Sequence, residues 1–369
     1  MTYVVSAADR AAFKRCRRQW DFSATMRRRR APNRRCHDLD RAIHDALAVY
    51  YFPGMWDWNS AIVLPLVLKA FDDSLQRQRA GLDERHCSTD WQALMTTGHD
   101  ILERYFTWAP RVDRFSPVRV ATDFEALVPD PADPERGLPG PDGSGVTYTG
   151  RIDLLAIDEH DNYWIVRHCL SGKPFPATEQ LLLDEESLTA CWAWERYYDG
   201  MAITGTIYND ISSTAAAPGE RTTLAQHRRG GIPQHEPSGG GRGVSSPRRI
   251  YVKGRPAENA ERVVQTAGDG VRRTTVRRDR TEVRSAGAQL ATEILDMVRG
   301  DLRIYPNPAP SHCATCDFVA PCLALHEDRD ADAILTEHFH RRAEIDVEPG
   351  RLGGSPHGVG RGWMLGSQL

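Results

Sequence analysis

The chain has 369 residues, 40% of them hydrophobic, and a formal net charge of -3. That is enough apolar material for a core, with room for two domains or one large α/β body. The balance excludes a uniformly basic nucleic-acid binder, so contact with a polyanion must come from local clusters.

Lys14, Lys69, Lys173 and Lys253 are the only lysines among 47 basic residues. The arginine excess reads first as coding bias and second as phosphate recognition. The N-terminus Met1-Thr2-Tyr3-Val4-Val5 opens no long apolar run of the kind a leader needs. The longest apolar stretch, 61–68, is interrupted by Pro65 and is too short to span a bilayer. A cytoplasmic protein with no membrane contact is expected, its eight cysteines reduced unless liganded.

Ser6-Ala7-Ala8-Asp9 has the form of a capping box with Asp in place of Glu, and it opens a helix. Phe13, Cys16 and Trp20 recur there at helical spacing, surrounded by Lys14, Arg15, Arg17 and Arg18. Arg27, Arg28, Arg29 and Arg30, then Arg34 and Arg35, form a dense basic run that suits either a nucleic-acid backbone or a solvated loop. A helix is expected over 38–51, where Leu39, Ile43, Leu47 and Tyr50 make an apolar stripe and His44 lies beside it. Two more helices are expected at 60–79 and 89–108.

Strands begin with the alternation of Val120, Thr122, Phe124 and Ala126. A Pro/Gly/Asp-rich loop follows over 129–145. Two β runs, 146–157 and 162–169, are joined by a polar turn and form a hairpin. A helix over 183–199 and a strand over 201–208 come next. Residues 211–248, rich in Gly, Ser, Ala and Pro, cannot bury a core and read as a flexible insertion. Order is expected to resume at 248–252. Arg272, Arg273, Arg277, Arg278 and Arg280 form a second basic stretch, followed by helices over 283–299 and 330–341. The parts are then a helical region over 1–110, an αβ core over 118–210, the insertion, a C-terminal part over 249–345 and a disordered tail over 346–369, one body overall.

In His312-Cys313-Ala314-Thr315-Cys316-Asp317-Phe318-Val319-Ala320-Pro321-Cys322, three cysteines stand at C-x2-C-x5-C spacing. In a reducing compartment such close thiolates more often bind a metal or cluster than form disulfides. Three ligands are one short of the usual four. Cys16 is available as the fourth, although a lone cysteine is commonly a small buried hydrophobe. Zinc and iron–sulfur both remain open on spacing.

A lone cysteine on a basic N-terminal helix, with this triplet after Tyr305-Pro306-Asn307-Pro308, resembles the iron–sulfur branch of the PD-(D/E)XK nuclease superfamily. That branch includes CRISPR-adaptation exonucleases and nuclease domains of recombinational helicase–nucleases. The likeness covers roughly the whole chain outside the insertion. It implies an α/β fold, a mixed central sheet flanked by helices, with β-β-α-β order at its core. It implies a 4Fe–4S cluster on Cys16, Cys313, Cys316 and Cys322, with Zn2+ as the alternative. It further implies DNA as a partner, a helicase or other protein partner, and Mg2+ or Mn2+ where cleavage persists.

The resemblance also implies catalytic residues. Asp153, in Gly150-Arg151-Ile152-Asp153, matches the family's first acid in its usual context, and His44 matches a metal-site histidine. Such chemistry needs hard oxygen ligands and a source of hydroxide near neutral pH. The family's second motif, an acid and a Lys two residues on, is broken. Aligning Trp164-Ile165-Val166 puts Arg167 at the acid and Cys169 at the Lys. Arginine is a cation at every relevant pH, and cysteine is a soft ligand ill suited to Mg2+. Where the family has a Gln and a Tyr on the next helix, this chain has Ser187 and Cys191.

Glu185 or Glu186 as a migrated acid, and Lys173 reaching back, are two rescues. The simpler expectation is a nuclease fold with cleavage lost or much reduced and Arg167 offered to phosphate. A metal-stapled scaffold that contacts protein and no DNA is the reading from another class. No G-x-S-x-G elbow, P-loop or dinucleotide fingerprint is present in the sequence.

Overall fold

A computed structural model describes residues 3–25, 28–30, 38–80, 89–171, 175–213 and 262–341. The chain divides into two compact units. The described residues of 1–14 and 34–304 make the first, and those of 15–33 and 305–369 make the second.

The first unit opens with strand β1 (Tyr3–Ser6) and helix α1 (Ala7–Arg15). The capping box between them forms as expected. Ser6 N and Oγ donate to Asp9 Oδ2 at 2.9 and 2.7 Å, and Asp9 N donates to Ser6 Oγ at 3.2 Å. Helices α3 (Leu39–Tyr50), α4 (Ser60–Ala80) and α5 (Trp91–Val112) then cover one face of the sheet. Asp38 and Asp90 cap α3 and α5, each accepting a backbone N–H at 3.0 Å. Ile43, Leu47, Val67, Phe71, Leu102 and Tyr105 pack into one core with Leu154, Ala156, Trp164 and Val166 of the sheet. Each large apolar side chain buried this way contributes roughly 1.5–3 kcal/mol.

The sheet has seven strands, and β6 (Val146–Asp158) is its spine. Strand β3 (Phe115–Leu127) runs antiparallel along one edge of β6, from Phe115↔Asp158 to Leu127↔Thr147. The other edge is shared between β1, parallel at Tyr3↔Val146, and β7 (Tyr163–Ser171), antiparallel at Leu154↔Val166. Strand β8 (Ile203–Ser212) lies parallel to β7, a pairing that needs a crossover. The crossover carries helices α6 (Thr178–Leu182) and α7 (Glu185–Tyr197). Strands β9 (Val263–Gly268) and β10 (Val271–Arg277) extend the sheet antiparallel beyond β8, and helix α8 (Arg280–Val298) follows. The expected β-β-α-β order is therefore present as β6-β7-α7-β8.

Some elements differ from expectation. Tyr3–Ser6 is a strand whose parallel partner is remote in sequence. Within the expected 129–145 loop, β4 (Pro129–Asp130) and β5 (Asp133–Gly137) form a small hairpin. The arginines at 272, 273 and 277 belong to β10. Arg273 and Arg278 are buried, each 5% exposed, so this stretch is no free basic surface. The resumption expected at 248–252, the insertion beyond residue 213 and the tail over 346–369 lie outside the described residues.

The second unit contains α2 (Arg17–Trp20), β2 (Arg28–Arg30) paired antiparallel with β11 (Phe339–Arg341), and helices Val319–His326 and Ala331–His338. Phe22, Phe318, Leu335 and Phe339 form its small core, with Cys316 and Cys322 packed against them. No helix among the described residues is long and apolar enough to cross a membrane.

Two glycines are required by close approach. Gly150, within the Gly-Arg-Ile-Asp run, faces Phe124 across the β3–β6 pair, and a Cβ there would lie 2.4 Å from the Phe124 ring. At Gly205 a Cβ would lie 2.1 Å from the carbonyl oxygen of Val276, and backbone cannot swing aside as a side chain can. Gly205→Ala is expected to cost about 1–3 kcal/mol, read as a fall in Tm by circular dichroism. Ala substitution at Gly300, whose added Cβ meets nothing within 4 Å, is the control and should leave Tm unchanged.

Candidate functional site

Asp153 on β6, His44 on α3 and His168 on β7 converge. Asp153 Oδ2 accepts the backbone N–H of His168 at 2.8 Å and lies 3.6 Å from His44 Nε2. His44 Nε2 is nearer the carbonyl oxygen of His168, at 2.9 Å, and its Nδ1 is 2.9 Å from the carbonyl oxygen of Asp40. A carbonyl oxygen only accepts, so both ring nitrogens must carry protons and His44 is an imidazolium.

Electrostatics agree with that assignment. Burial pulls the His44 pKa down, but the hydrogen bond and charge of Asp153, with the charge of Asp40, outweigh it and raise the value to about 9. Burial pushes Asp153 up, but the hydrogen bond and charge of His44, then the ring and amide of His168, bring it to about 2. His168 is buried and pushed down to about 3 by that burial, so it stays neutral. Its Nδ1 accepts from Asn209 Nδ2 at 3.2 Å, and its ring stacks on Tyr51 at 5.5 Å between centroids.

A buried polar network lies behind His168. Asn209 Nδ2 also donates to Tyr105 OH at 3.0 Å, and Asn209 Oδ1 accepts from Arg273 Nε at 2.7 Å. Arg273 Nη1 pairs with Asp113 Oδ1 at 2.6 Å, and the hydroxyls of Tyr51 and Tyr105 stand 2.7 Å apart. Asn209, Tyr105 and Tyr51 are hydrogen-bonded where water is excluded, while Arg273 Nη1 meets Asp113 only as an ion pair and Nη2 has no hydrogen-bond partner among the described residues.

Strand alternation puts Arg167 and Cys169 on the face opposite Val166 and His168. Arg167 Nη1 lies 3.1 Å from Asp184 Oδ2 and 3.1 Å from Ser187 Oγ, and its Nη2 lies 3.2 Å from Glu186 Oε1. Asp184 is the N-cap of α7, accepting from the amides of Glu186 and Ser187 at 3.2 and 3.4 Å. Tyr208 OH also donates to it, at 3.0 Å. Burial lowers the Arg167 pKa, yet the charges of Glu186, Asp184, Cys169 and Asp153 more than compensate, and its pKa is raised. Burial drives the Cys169 thiol up to about 12 against the charge of Arg167, so it is neutral at ordinary pH. Cys191 is fully buried, its Sγ 3.7 Å from Thr206 Oγ1.

The structure thus brings Asp153 and His44 together and sets Arg167 between β7 and the start of α7. Glu185 stands in a separate cluster, with Arg10 Nη2 at 3.2 Å, Lys14 Nζ at 2.5 Å, and Glu293 sharing both cations. Glu186 is the member of the pair that meets Arg167. Lys173 and Arg27 lie outside the described residues, while Arg28–Arg30 form β2 in the second unit. Sequence reasoning did not single out Asp184 or His168. Asp184 carried a signal, an Asp directly before a helical Glu-Glu run; His168 carried none.

In the second unit, Asn307 N donates to Cys16 Sγ at 3.3 Å, Asn307 Nδ2 to the Arg15 carbonyl at 2.9 Å, and Arg18 N to the Tyr305 carbonyl at 3.2 Å. The Arg17 guanidinium lies over the Tyr305 ring, 5.0 Å from its centroid. Residues 15–18 and 305–307 are thereby tied together. Burial first, then the charges of Cys16 and Cys313, raise the thiol pKa values of Cys316 and Cys322. The four sulfurs are therefore electrostatic neighbours. Among the described residues no group of three or more His, Cys, Asp or Glu side chains is arranged to hold a metal ion. By donor chemistry four soft sulfurs fit an iron–sulfur cluster or zinc. The surroundings of Asp153, an imidazolium and the His168 amide, do not fit a hard divalent cation.

Residues 4–323 match the family model of the PD-(D/E)XK nuclease superfamily. Comparison with curated proteins found no match.

The raised pKa of His44 makes stability depend on pH, through its contacts with Asp153, Asp40 and the His168 carbonyl. Below its ordinary value of 6.5 the ring is charged whether folded or not, and the contribution is complete; it is lost as pH rises through about 9. His44→Gln should therefore flatten the decline in stability between those pH values by an amount on the order of 2 kcal/mol. Urea denaturation at a series of pH values measures it. An unchanged slope would show that the ring is not held as a cation.

Proposed function

The chain belongs to the PD-(D/E)XK nuclease superfamily, and on that premise we propose that it is a DNA-binding member whose metal-dependent phosphodiester cleavage is impaired. In this reading Cys16, Cys313, Cys316 and Cys322 hold a 4Fe–4S cluster, with zinc as the alternative.

The observation that carries impaired cleavage is the placement of Arg167. At the position where the family's second acid is expected stands a guanidinium already paired with Asp184 and Glu186. The remaining acid, Asp153, is held by an imidazolium and an amide. A metal would have to displace the guanidinium and share Asp153 with His44, and Cys169 offers a neutral thiol where a lysine would orient water. Glu185 as a substitute acid is disfavoured by its own pairing with Arg10 and Lys14.

The cluster reading is supported by the N–H that Asn307 directs at Cys16 Sγ, a type of bond that tunes thiolate ligands. A reducing cytoplasm suits such thiols. DNA contact is assigned to the Arg27–Arg30 run, the densest positive charge in the sequence.

Anaerobically purified protein tests each part. Absorbance with iron and sulfide analysis should give about four of each per chain; zinc in their place selects the alternative. Duplex or single-stranded DNA should bind with an affinity that falls with salt, and neutralising Arg28, Arg29 and Arg30 together should reduce that salt dependence. No Asp153-dependent cleavage is expected with Mg2+ or Mn2+. Cleavage abolished by Asp153→Asn would refute impairment, and DNA binding that is absent from fully metallated protein would refute the DNA assignment.

A further inference from the structure

We propose that Arg167 is a resident counter-cation. Its guanidinium pairs with the carboxylates of Asp184 and Glu186, with Asp153 on the neighbouring strand, in place of a divalent metal, and removing that one side chain opens a divalent-cation site there. The inference rests on the superfamily reading only for where a metal is expected; the residues and contacts are this chain's own.

The three carboxylates are gathered by separate means. Asp153 is anchored on the amide of His168, the residue after Arg167. Asp184 is fixed as the N-cap of α7 and by Tyr208 OH, and Glu186 sits in the first turn of the same helix. Side chains of one sign gathered at a partly buried site need a counter-charge. Arg167 supplies it, bridging Asp184 Oδ2 at 3.1 Å and Glu186 Oε1 at 3.2 Å with different nitrogens. Its side chain is 27% exposed, so the pocket it fills opens to solvent and is within reach of an ion.

Cys169 follows from the same arrangement. Two residues along β7 it shares the face of Arg167. A lysine there would put a second cation beside the guanidinium, whereas a thiol adds no charge. The loss of the lysine and the gain of the arginine are thus one change rather than two. Nor is the guanidinium free to serve a phosphate: Nη1 and Nη2 are already given to Asp184, Ser187 and Glu186.

The test is Mn2+ binding to the full chain, followed by the loss of the free-ion signal in electron paramagnetic resonance. The wild-type protein is expected to show no stoichiometric binding that Asp153→Asn removes. Arg167→Met should bind one Mn2+ per chain, roughly tenfold or more tighter than wild type. That binding should be lost on adding Asp153→Asn or Glu186→Gln. Arg167→Gln is the second variant, keeping a hydrogen-bonding group for Asp184 if Met disturbs folding, which circular dichroism reports. Arg167→Lys keeps the charge and should bind no ion.

Asp153-dependent Mn2+ binding by the wild-type protein overturns the proposal whatever the variants do. So does binding by Arg167→Met that is indifferent to Asp153 and Glu186, or its absence from both folded neutral variants. Salt-dependent DNA binding is measured separately, so failure here is distinguishable from failure of the superfamily function.

Discussion

The candidate site depends on the peptide groups of one residue. His168 gives its amide to Asp153 and its carbonyl to His44, so a carboxylate from β6 and an imidazolium from α3 are held by the peptide groups of one strand residue. Such an anchor is only as firm as the strand. β7 is flanked by β6 on one side and β8 on the other, and the His168 side chain is gripped from behind by Asn209 and the Tyr51 ring. The buried pair of Arg273 and Asp113 lies under that grip. Removing either partner would leave the other charged and dry, typically at a cost of about 3–5 kcal/mol. The network therefore fixes where β7 sits, and β7 fixes the two groups that chemistry would use.

The two faces of β7 are used differently. Trp164, Val166 and His168 face the core made by α3, α4 and α5, and that core supplies the stabilising apolar burial. Arg167 and Cys169 lie on the other face, where Arg167 meets Asp184, Glu186 and Ser187 at the start of α7.

Periodicity made most of the fold legible. The apolar stripe of α3, the hairpin of β6 and β7 and the Ser6–Asp9 box were readable because each is written in a few neighbouring residues. What stayed hidden is long-range. β1 has its parallel partner on β6, and four residues carry no sign of it. The arginines of β10 look like a basic stretch because nothing nearby reveals that Asp113 and Asp210 are waiting for Arg273 and Arg272. Glu185 and Glu186 were indistinguishable as candidate acids, yet adjacent helix positions point about 100° apart. One meets Arg10 and Lys14, the other Arg167. Asp153 was legible from its Gly-Arg-Ile context, and the imidazolium state of its neighbour only from two carbonyl oxygens.

Charge explains why an arginine suits position 167. Were Arg167 a neutral residue, Asp184 and Glu186 would face each other at the start of α7 with no full cation between them. The partial positive charge of a helix N-terminus helps one carboxylate, and falls off within a turn. An exchange of acid for arginine removes one negative charge and adds one positive. The local balance then moves by the charge of a single divalent ion, with a side chain tethered to the sheet carrying it. Arg167 keeps Asp184 and Glu186 compatible with a folded, charge-balanced site.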